Sequence, residues 1–317
     1  MPSHRFLFSV VLGGSVLAAG CRTVQPHTPL GNATAGHVYR VYYLGGQSNM
    51  EGFGFASDLP AEFKTPHPTA YIYEANSTAD NQPVDGHGVW QPVQPGHGLG
   101  FRTDGISNRL SDRFGPELAF AQRMAALEPD VRVAIVKYAR GGSSLASGAS
   151  GFGTWDPDFA EGSGVNSYDQ FLATVRLAVR DADIDGDGRI DRLIPAGMVW
   201  MQGESDGAFS EATARAYDAN LRRLMGLMRA ALRDDDLPIV LGRINDSRAG
   251  TANPLIPWAS VVQATQAHFV ATDKHAALVT STSSYHFIED GWHYTSRDYL
   301  DLGAQFAEAM HRLRSGK

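Results

Sequence analysis

Residues 38–50 read Val-Tyr-Arg-Val-Tyr-Tyr-Leu-Gly-Gly-Gln-Ser-Asn-Met, a β-branched and aromatic run that stops at two glycines. A short apolar run bounded by turn residues is typical of a strand that is buried on both faces of a sheet. Ser48 follows this strand directly and can begin a helix, where backbone N–H groups favour negative charge. Taken alone, the pattern favours a serine that only caps a helix.

Four further runs of the same kind follow along the chain, with amphipathic segments between them. The runs predict strands at residues 132–138, 194–201, 238–244 and 276–280. The segments with apolar residues at helical spacing predict helices at 116–127, 168–182, 211–233, 257–272 and 295–314. Strands that alternate with helices predict a three-layer α/β/α sandwich with a five-stranded parallel sheet of the flavodoxin-like type. In such sheets, ligands bind beyond the carboxyl ends of the strands.

Residues 53–113 interrupt this alternation. They are rich in Gly, Pro, His and Asn, and they form a long insertion between the first predicted strand and the first long predicted helix. We expect this insertion to wall the mouth of a site at the strand ends. The sequence shows no internal repeat and no second domain.

The beginning of the chain predicts export from the cytoplasm. A charged start, an apolar run from Phe6 to Ala19 and a small-residue site before Cys21 are the layout of a secretory signal. Residues 17–21 also resemble a bacterial lipobox, which implies a lipid anchor at Cys21. A plain cleaved signal peptide is the alternative. We therefore predict a signal at 1–21, a tether at 22–36 and a single domain at 37–314.

The composition excludes several classes of function. The 317 residues carry a formal net charge of -7 and no basic run, so no nucleic-acid partner is expected. The single cysteine excludes an intramolecular disulfide and a cysteine-based metal site. The only membrane contact that we expect is the lipid anchor, and the sequence does not reveal the oligomeric state.

Three polar segments follow other predicted strands at the same edge of the sheet. Residues 139–144 read Ala-Arg-Gly-Gly-Ser-Ser, and glycine lets a backbone N–H approach a ligand closely. Residues 200–206 read Trp-Met-Gln-Gly-Glu-Ser-Asp, and a glutamine amide donates hydrogen bonds without adding charge. Residues 290–295 read Asp-Gly-Trp-His-Tyr-Thr, in which the carboxylate can orient the imidazole for proton transfer. Each segment alone is typical of a polar loop, but together they predict one site at one rim.

Together with the Ser48 segment, these motifs resemble the conserved blocks of the SGNH hydrolase superfamily. More narrowly, Gly-Gln-Ser-Asn-Met, Gly-Gly-Ser, Gln-Gly-Glu-x-Asp and Asp-Gly-x-His-x-Thr, with residues 115–121, are similar to the sialate O-acetylesterase and family-6 carbohydrate esterase (acetylxylan esterase) group. The resemblance runs from about Val38 to Leu313 and supports the strand order 2-1-3-4-5. Gln202 stands where the broader superfamily has Asn, and Ser143 stands where the narrower group has Thr.

The resemblance implies a serine esterase that removes O-acetyl groups from carbohydrates such as acetylated xylan or sialic acids. It implies Ser48 as the nucleophile, His293 as the general base and acid, and Asp290 as the residue that orients His293. The oxyanion hole that it implies consists of the N–H groups of Ser48 and Gly142 and the side chain of Gln202. Catalysis of this kind requires no cofactor.

Three other residues are candidates for contact with the substrate. Arg140 and Trp292 follow the second and fifth predicted strands, where they can line a sugar site. We interpret Glu204 as a supporting or capping residue, with contact to the substrate as the alternative.

An acidic segment before the third predicted strand indicates a structural calcium site. Residues 183–191 place Asp183, Asp185, Asp187 and Asp191 at positions 1, 3, 5 and 9 of an EF-hand-like loop, with glycine at position 6. The loop is incomplete, since position 12 is Ile194 and a strand follows instead of a helix. An acidic, glycine-rich turn without a metal is the alternative.

Two other functions remain open at this point. An SGNH lipase or thioesterase should have an apolar acyl groove, whereas the insertion at 53–113 is polar and glycine-rich. A non-catalytic surface lipoprotein that binds glycans should have lost part of the Ser48, His293 and Asp290 set, whereas all three are present. Both observations favour the carbohydrate esterase.

Overall fold

The computed structural model describes residues 36–76, 78, 82–160 and 164–316. The predicted signal peptide, Cys21 and residues 22–35 of the predicted tether lie outside these residues, so those predictions stay predictions. Ala35–Lys317 form one compact unit by their internal contacts.

Within the described residues, seven strands form the main sheet and seven α-helices accompany it. The strands are β1 (Val38–Gly46), β2 (Ala70–Glu74), β3 (Gln91–Pro92), β4 (Arg132–Ala139), β5 (Arg192–Met201), β6 (Ile239–Gly242) and β7 (Ala276–Val279). The helices are α1 (Ser48–Glu51), α2 (Glu117–Leu127), α3 (Ser167–Arg180), α4 (Glu204–Phe209), α5 (Glu211–Leu232), α6 (Ala259–Thr272) and α7 (Ser296–Ser315). None of the helices in this part of the chain is long and apolar enough to cross a bilayer.

The strand order across the sheet is β7-β6-β5-β1-β4-β2-β3, and every neighbouring pair is parallel except β2–β3. The predicted fold class is confirmed, and the five predicted strands lie in the predicted order 2-1-3-4-5. The sheet has two more strands than predicted, because β2 and β3 lie inside the insertion at 53–113. The Ala-Tyr-Ile-Tyr-Glu run of β2 lies between segments rich in Pro, Asn and Gly. It is too short to be identified as a strand from the sequence in that context.

Two adjacent tyrosines of β1 show how the layers are arranged. Successive side chains of a strand point to opposite faces of the sheet. Tyr42 packs edge-on against Phe120 of α2, while Tyr43 packs against Phe171 of α3. Arg314 of α7 also lies over the Tyr42 ring. Therefore α2 and α7 cover one face and α3 covers the other. Right-handed crossovers in the same direction place α5 and α6 with α3.

The strand register brings the predicted site segments to one level. Gly46 of β1 pairs with Ala139 at the end of β4 and with Met201 at the end of β5. The residues that follow these three positions therefore leave the sheet side by side. This common level is what places Ser48, the 140–144 loop and the 202–206 segment at one rim.

The contact between α2 and α7 depends on Gly303. A β-carbon added to Gly303 would lie 2.2 Å from the carbonyl oxygen of Pro116 and 2.8 Å from the backbone nitrogen of Phe120. Both atoms belong to the backbone, which cannot move aside cheaply. In contrast, a β-carbon added to Gly226 of α5 would meet no atom within 4 Å.

We predict opposite effects for two glycine-to-alanine changes in helix interiors. Gly303→Ala should lower the free energy of unfolding by about 1–3 kcal/mol through overpacking. Gly226→Ala should raise it by about 1 kcal/mol, because alanine has the better helix propensity and no clash opposes it. Urea unfolding followed by circular dichroism measures both. Equal changes in the two variants would contradict the packing described for α2 and α7.

Candidate active site

Ser48 begins the short helix α1 directly beyond the sheet. Gly46 makes this possible, since its φ is 143° and an added β-carbon would lie 2.0 Å from the Met201 carbonyl oxygen. The Gln47 N–H donates to that same oxygen at 2.9 Å. The chain therefore turns sharply against the end of β5. Ser48 is 7% exposed, and its N–H belongs to the first helical turn, which has no acceptor within the helix.

The 140–144 loop lies against Ser48. A β-carbon on Gly141 would lie 3.5 Å from the Ser48 β-carbon, so the two backbones are close neighbours. The Gly141 N–H donates to Glu51 Oε2 at 2.8 Å, which ties the loop to the end of α1. Burial raises the pKa of Glu51. Glu51 was not identified from the sequence, because its partner is 90 residues away in the chain.

Gly142 combines a left-handed backbone conformation with a carbonyl oxygen that two serine hydroxyls hold. Its φ of 74° lies in the left-handed region, and its N–H has no backbone acceptor among the described residues. The Gly142 carbonyl oxygen accepts from Ser205 Oγ at 2.9 Å and from Ser150 Oγ. These two bonds fix the loop around Gly142. The contribution of the Gly142 N–H to an oxyanion hole stays a prediction.

The Gln202 side chain is engaged by acceptors within the protein. Its side chain is fully buried, and Nε2 donates to Asp206 Oδ2 at 2.8 Å and to the Ser143 carbonyl oxygen at 3.2 Å. The two amide hydrogens are therefore directed at protein acceptors, and Gln202 Oε1 has no partner. Asp206 in turn accepts from the backbone of Leu145 and Ala146. In this arrangement Gln202 positions the 140–146 loop, and its role in an oxyanion hole requires one of these bonds to be released.

Asp290 and His293 form the predicted pair on a tight turn. Asp290 Oδ2 lies 2.6 Å from His293 Nδ1, and Asp290 Oδ1 accepts from the backbone N–H groups of Trp292 and His293 at 2.8 and 3.1 Å. Gly291, with a φ of 75°, allows this turn. Burial by itself would raise the pKa of Asp290, but the hydrogen bonds from His293 and Trp292 outweigh it, and the net pKa is lowered. Asp290 is thus held as a carboxylate that orients the imidazole.

The insertion supplies a support for the imidazole that the sequence did not reveal. The Phe53 ring stacks on His293 with centroids 3.5 Å apart and an angle of 4° between the planes. Arg113 donates to the Phe53 carbonyl oxygen at 2.7 Å. Burial lowers the pKa of His293, the bond to Asp290 opposes this, and the charge of Arg113 adds to the lowering. The net effect favours the neutral imidazole, which is the form that accepts a proton.

Asn49 connects the serine segment to the histidine turn. Asn49 Nδ2 donates to Glu204 Oε1 at 2.8 Å and to the Trp292 carbonyl oxygen at 3.2 Å, while its Oδ1 accepts from Tyr299 at 2.8 Å. Since Asn49 follows Ser48 and Trp292 precedes His293, this bond brings the two catalytic candidates together. The sequence contained Asn49 within the first motif but gave no indication of this function.

The described residues include no hydrogen bond between Ser48 Oγ and the His293 ring, so the triad itself stays a prediction. Catalytic hydrogen bonds are commonly long without substrate and shorten only in the complex. The Asp290–His293 pair is formed, and the Asn49 bond links the residue after Ser48 to the residue before His293.

The three candidate substrate contacts differ in what they hold within the protein. Glu204 is 2% exposed and holds Asn49, so it lies inside the protein as a support and does not face a substrate. The Arg140 side chain donates to the backbone carbonyls of Thr78 and Phe152, which makes it an anchor for two loops. Trp292 is partly buried against the core, and its backbone engages Asn49 and Asp290. Contact between Trp292 and a substrate stays a prediction.

A buried lysine holds the insertion and α1 in place. Lys137 of β4 is fully buried, and its Nζ donates to the Glu51 carbonyl oxygen at 2.9 Å and to Glu117 Oε2 at 3.0 Å. Burial by itself would lower the pKa of Lys137, but the carboxylates of Glu117 and Glu74 outweigh it, and the net pKa is raised. Burial raises the pKa of Glu74 to about 7. Its Oε2 lies 2.6 Å from His97 Nδ1, which connects the insertion to the same cluster.

The four aspartates of the 183–191 loop fall into two overlapping groups. Carboxylate oxygens of Asp183, Asp185 and Asp191 lie within 4.8 Å of one another, and those of Asp185 and Asp187 form a second group with His37. Asp183 Oδ1 and Asp185 Oδ1 are buried and have no hydrogen-bond partner. Hard oxygen donors of this kind suit calcium. Ile194 lies in β5 and supplies no ligand, so calcium binding stays a prediction.

Comparison with known proteins gives one family and several related structures. A family model described as carbohydrate esterase, sialic acid-specific acetylesterase, matches residues 38–312. No curated protein matches the sequence.

Three solved structures share the fold. A protein from Arabidopsis thaliana aligns with a TM-score of 0.61 and 18% identity, over 86% of this chain and 98% of its own. A carbohydrate acetylesterase from Xanthomonas citri aligns with a TM-score of 0.60 and 18% identity. The alignment covers 88% of this chain and 57% of the acetylesterase. The protein NanS aligns with a TM-score of 0.56 and 17% identity. The alignment covers 89% of this chain and 99% of NanS. At these identities the likeness shows the fold alone.

We predict that His293 titrates below its ordinary range and that Asp290 limits the lowering. The pKa of His293 should lie below 6.5, because burial and Arg113 disfavour the imidazolium. Asp290→Asn should lower it further, since the carboxylate stabilises the positive ring. Titration of the histidine side chains by NMR measures both values. A higher pKa in Asp290→Asn would contradict the described pair, and the other histidine signals, unchanged between the two proteins, are the internal control.

We predict that calcium raises the melting temperature if the 183–191 loop binds it. At calcium about 100-fold above its Kd, binding contributes roughly 2.7 kcal/mol, which corresponds to about 5 °C for a domain of this size. Asp185→Asn should lose this response, while Asp235→Asn, an exposed aspartate outside the loop, should keep it. Calorimetric scans in EDTA and in excess calcium measure the difference. Identical melting temperatures in the two buffers would favour the metal-free acidic turn.

Proposed function

The chain belongs to the carbohydrate esterase family of sialic acid-specific acetylesterases, and on that premise we propose that it releases acetate from O-acetylated carbohydrates through an acyl-enzyme on Ser48. The observation that supports the proposal most is the hydrogen bond from Asn49, which follows Ser48, to the carbonyl of Trp292 within the Asp290–His293 turn. The enzyme is a carbohydrate esterase by its family. The covalent intermediate and the substrate are the parts that we propose.

The first half of the reaction acylates the serine. His293 Nδ1 donates to Asp290 Oδ2, which leaves Nε2 free to accept the proton of Ser48 Oγ. The oxygen attacks the acetyl carbonyl carbon, and a tetrahedral intermediate forms. Its collapse breaks the bond to the sugar oxygen, which takes the proton from Nε2 and leaves as the sugar hydroxyl. The acetyl group stays on Ser48.

The second half repeats these steps with water. His293 Nε2 takes a proton from a water molecule, whose oxygen attacks the acetyl carbon on Ser48. The second tetrahedral intermediate collapses, Ser48 Oγ regains its proton from Nε2, and acetic acid leaves as acetate. Asp290 stabilises the imidazolium in both halves and fixes the tautomer. No step requires a cofactor.

Backbone N–H groups stabilise the negative charge of both intermediates. The Ser48 N–H lies at the start of α1, and the Gly142 N–H lies on the adjacent loop with no backbone acceptor in the described part of the chain. Each such donor contributes roughly 3 kcal/mol to the transition state. The bonds from Ser205 and Ser150 to the Gly142 carbonyl oxygen hold the loop in position before the substrate binds.

The substrates that we propose are O-acetylated sialic acids and acetylated xylan. The family description supports the first, and the similarity of the sequence motifs to acetylxylan esterases supports the second. The N-terminal signal and lipobox pattern supports action outside the cytoplasm, with an anchor at Cys21. An acyl-ester lipase is the alternative among enzymes, and a glycan-binding lipoprotein is the alternative without catalysis.

We predict that the mature protein releases acetate from at least one of these two substrates and that Ser48→Ala lowers kcat by at least about 10⁴-fold. Ser284→Ala, which changes an exposed serine at the end of the 3-10 helix after β7, is the matched control and should keep full activity. Enzymatic assay of free acetate measures the reaction. Hydrolysis of long-chain esters alone would favour the lipase, and binding without any hydrolysis would favour the glycan-binding protein.

A further inference from the structure

We infer that Phe152 is a sugar-binding platform at the active site, which stacks against the apolar face of the pyranose ring that carries the acetyl group. The inference rests on the proposed function and adds a substrate contact to it. Phe152 lies in the loop between β4 and α3, outside every motif that the sequence analysis singled out.

The position of the ring is the first argument. A β-carbon added to Gly142 would lie 2.6 Å from Phe152 Cδ2 and 2.9 Å from its Cγ, so the phenyl ring covers the Gly142 Cα. A β-carbon added to Gly141, the preceding residue, would lie 3.5 Å from the Ser48 β-carbon. Consecutive Cα atoms are about 3.8 Å apart. The ring therefore covers the residue next to the one that faces Ser48, on the side of the proposed Gly142 donor.

The exposure of the ring is the second argument. Phe152 is 62% exposed although it is a large apolar side chain. Aromatic side chains carry a large apolar surface whose burial is favourable. A sugar that stacks on this surface would remove it from water. The axial C–H groups of a pyranose form such an apolar face, whereas the small acetyl group cannot cover a phenyl ring.

The rigidity of the segment is the third argument. The Phe152 N–H donates to Ser150 Oγ at 2.9 Å, and the same Ser150 hydroxyl donates to the Gly142 carbonyl oxygen. The Phe152 carbonyl oxygen accepts from Arg140 Nε. Thr154 then pairs with Ser144 as an isolated bridge. These bonds fix the exposed ring to the loop that carries Gly142, so a sugar that contacts Phe152 is aligned with the proposed oxyanion donor.

This arrangement also explains the role of Arg140. The sequence suggested that Arg140 contacts the sugar directly. Its bond to the Phe152 carbonyl instead positions the residue that makes the contact.

The test compares Phe152→Ala and Phe152→Tyr with the native protein on two esters. One ester is the O-acetylated sugar that the native protein hydrolyses best, and the other is ethyl acetate, which has no ring to stack. Phe152→Ala should raise KM for the sugar about tenfold and leave kcat/KM for ethyl acetate unchanged. Phe152→Tyr should keep the native KM for the sugar. Ile190→Ala, another exposed apolar residue, lies before the amino end of β5 and should change neither ester.

Binding provides a readout that does not depend on turnover. In the Ser48→Ala background, calorimetry compares O-acetylated sialic acid with an acetylated xylo-oligosaccharide and takes the one that binds more tightly. The Kd for that sugar should rise about tenfold when Phe152→Ala is added. Absence of acetate release by the native protein would overturn the proposed function, and this binding measurement would still decide the role of Phe152. An unchanged Kd and KM, or an equal loss on both esters, would overturn the platform. The equal loss would indicate that Phe152 only shapes the Gly142 loop.

Discussion

The contact between Gly46 and the end of β5 is the constraint on which the site depends. With a φ of 143° and no room for a β-carbon beside the Met201 carbonyl, Gly46 brings the chain out of β1 against β5 and directly into α1. The Gln47 side chain continues this contact, because its Oε1 accepts from the N–H groups of Gly203 and Ser205 at the start of α4. Two helix N-termini are thereby joined above adjacent strands, and Ser48 lies at one of them.

The insertion at 53–113 contributes more to the site than a wall. Phe53 stacks on His293, and residues 54–55 pair with 113–114, which hold Arg113 near the same imidazole. The buried cluster around Lys137 then ties the insertion to the end of α1 through the Glu51 carbonyl. The serine and the histidine are therefore both supported by a segment that belongs to neither motif.

The sequence predicted the elements whose pattern is local. The apolar run of β1 and the amphipathic stripe of α5 could be identified from the sequence. Burial on both faces requires consecutive apolar residues, and burial along one stripe requires apolar residues at helical spacing. Asp290 and His293 could be paired because only three positions separate them. The bond from Asn49 to the Trp292 carbonyl spans 243 residues, and nothing in either segment indicates the other.

The same reasoning explains what the sequence left open. Glu204 and Gln202 are polar residues directly after a strand. Residues that contact a ligand and buried residues that hold a loop in place both occur at such positions. Only their partners distinguish the two cases, and here the partners are Asn49, Asp206 and the Ser143 carbonyl. β2 was missed for a related reason, since a five-residue strand within a Pro- and Gly-rich segment leaves too short a pattern.

The short antiparallel strand β3 has a consequence for the behaviour of the protein in solution. It pairs with β2 through Gln91 and Pro92, and it closes one edge of an otherwise parallel sheet. Proline has no N–H to offer to a further strand, and a two-residue edge presents few free backbone groups. Without β3, the five residues of β2 would form the edge of the sheet, and their unpaired backbone groups could pair with a strand of another molecule. The edge is thus protected against strand-to-strand aggregation by two residues.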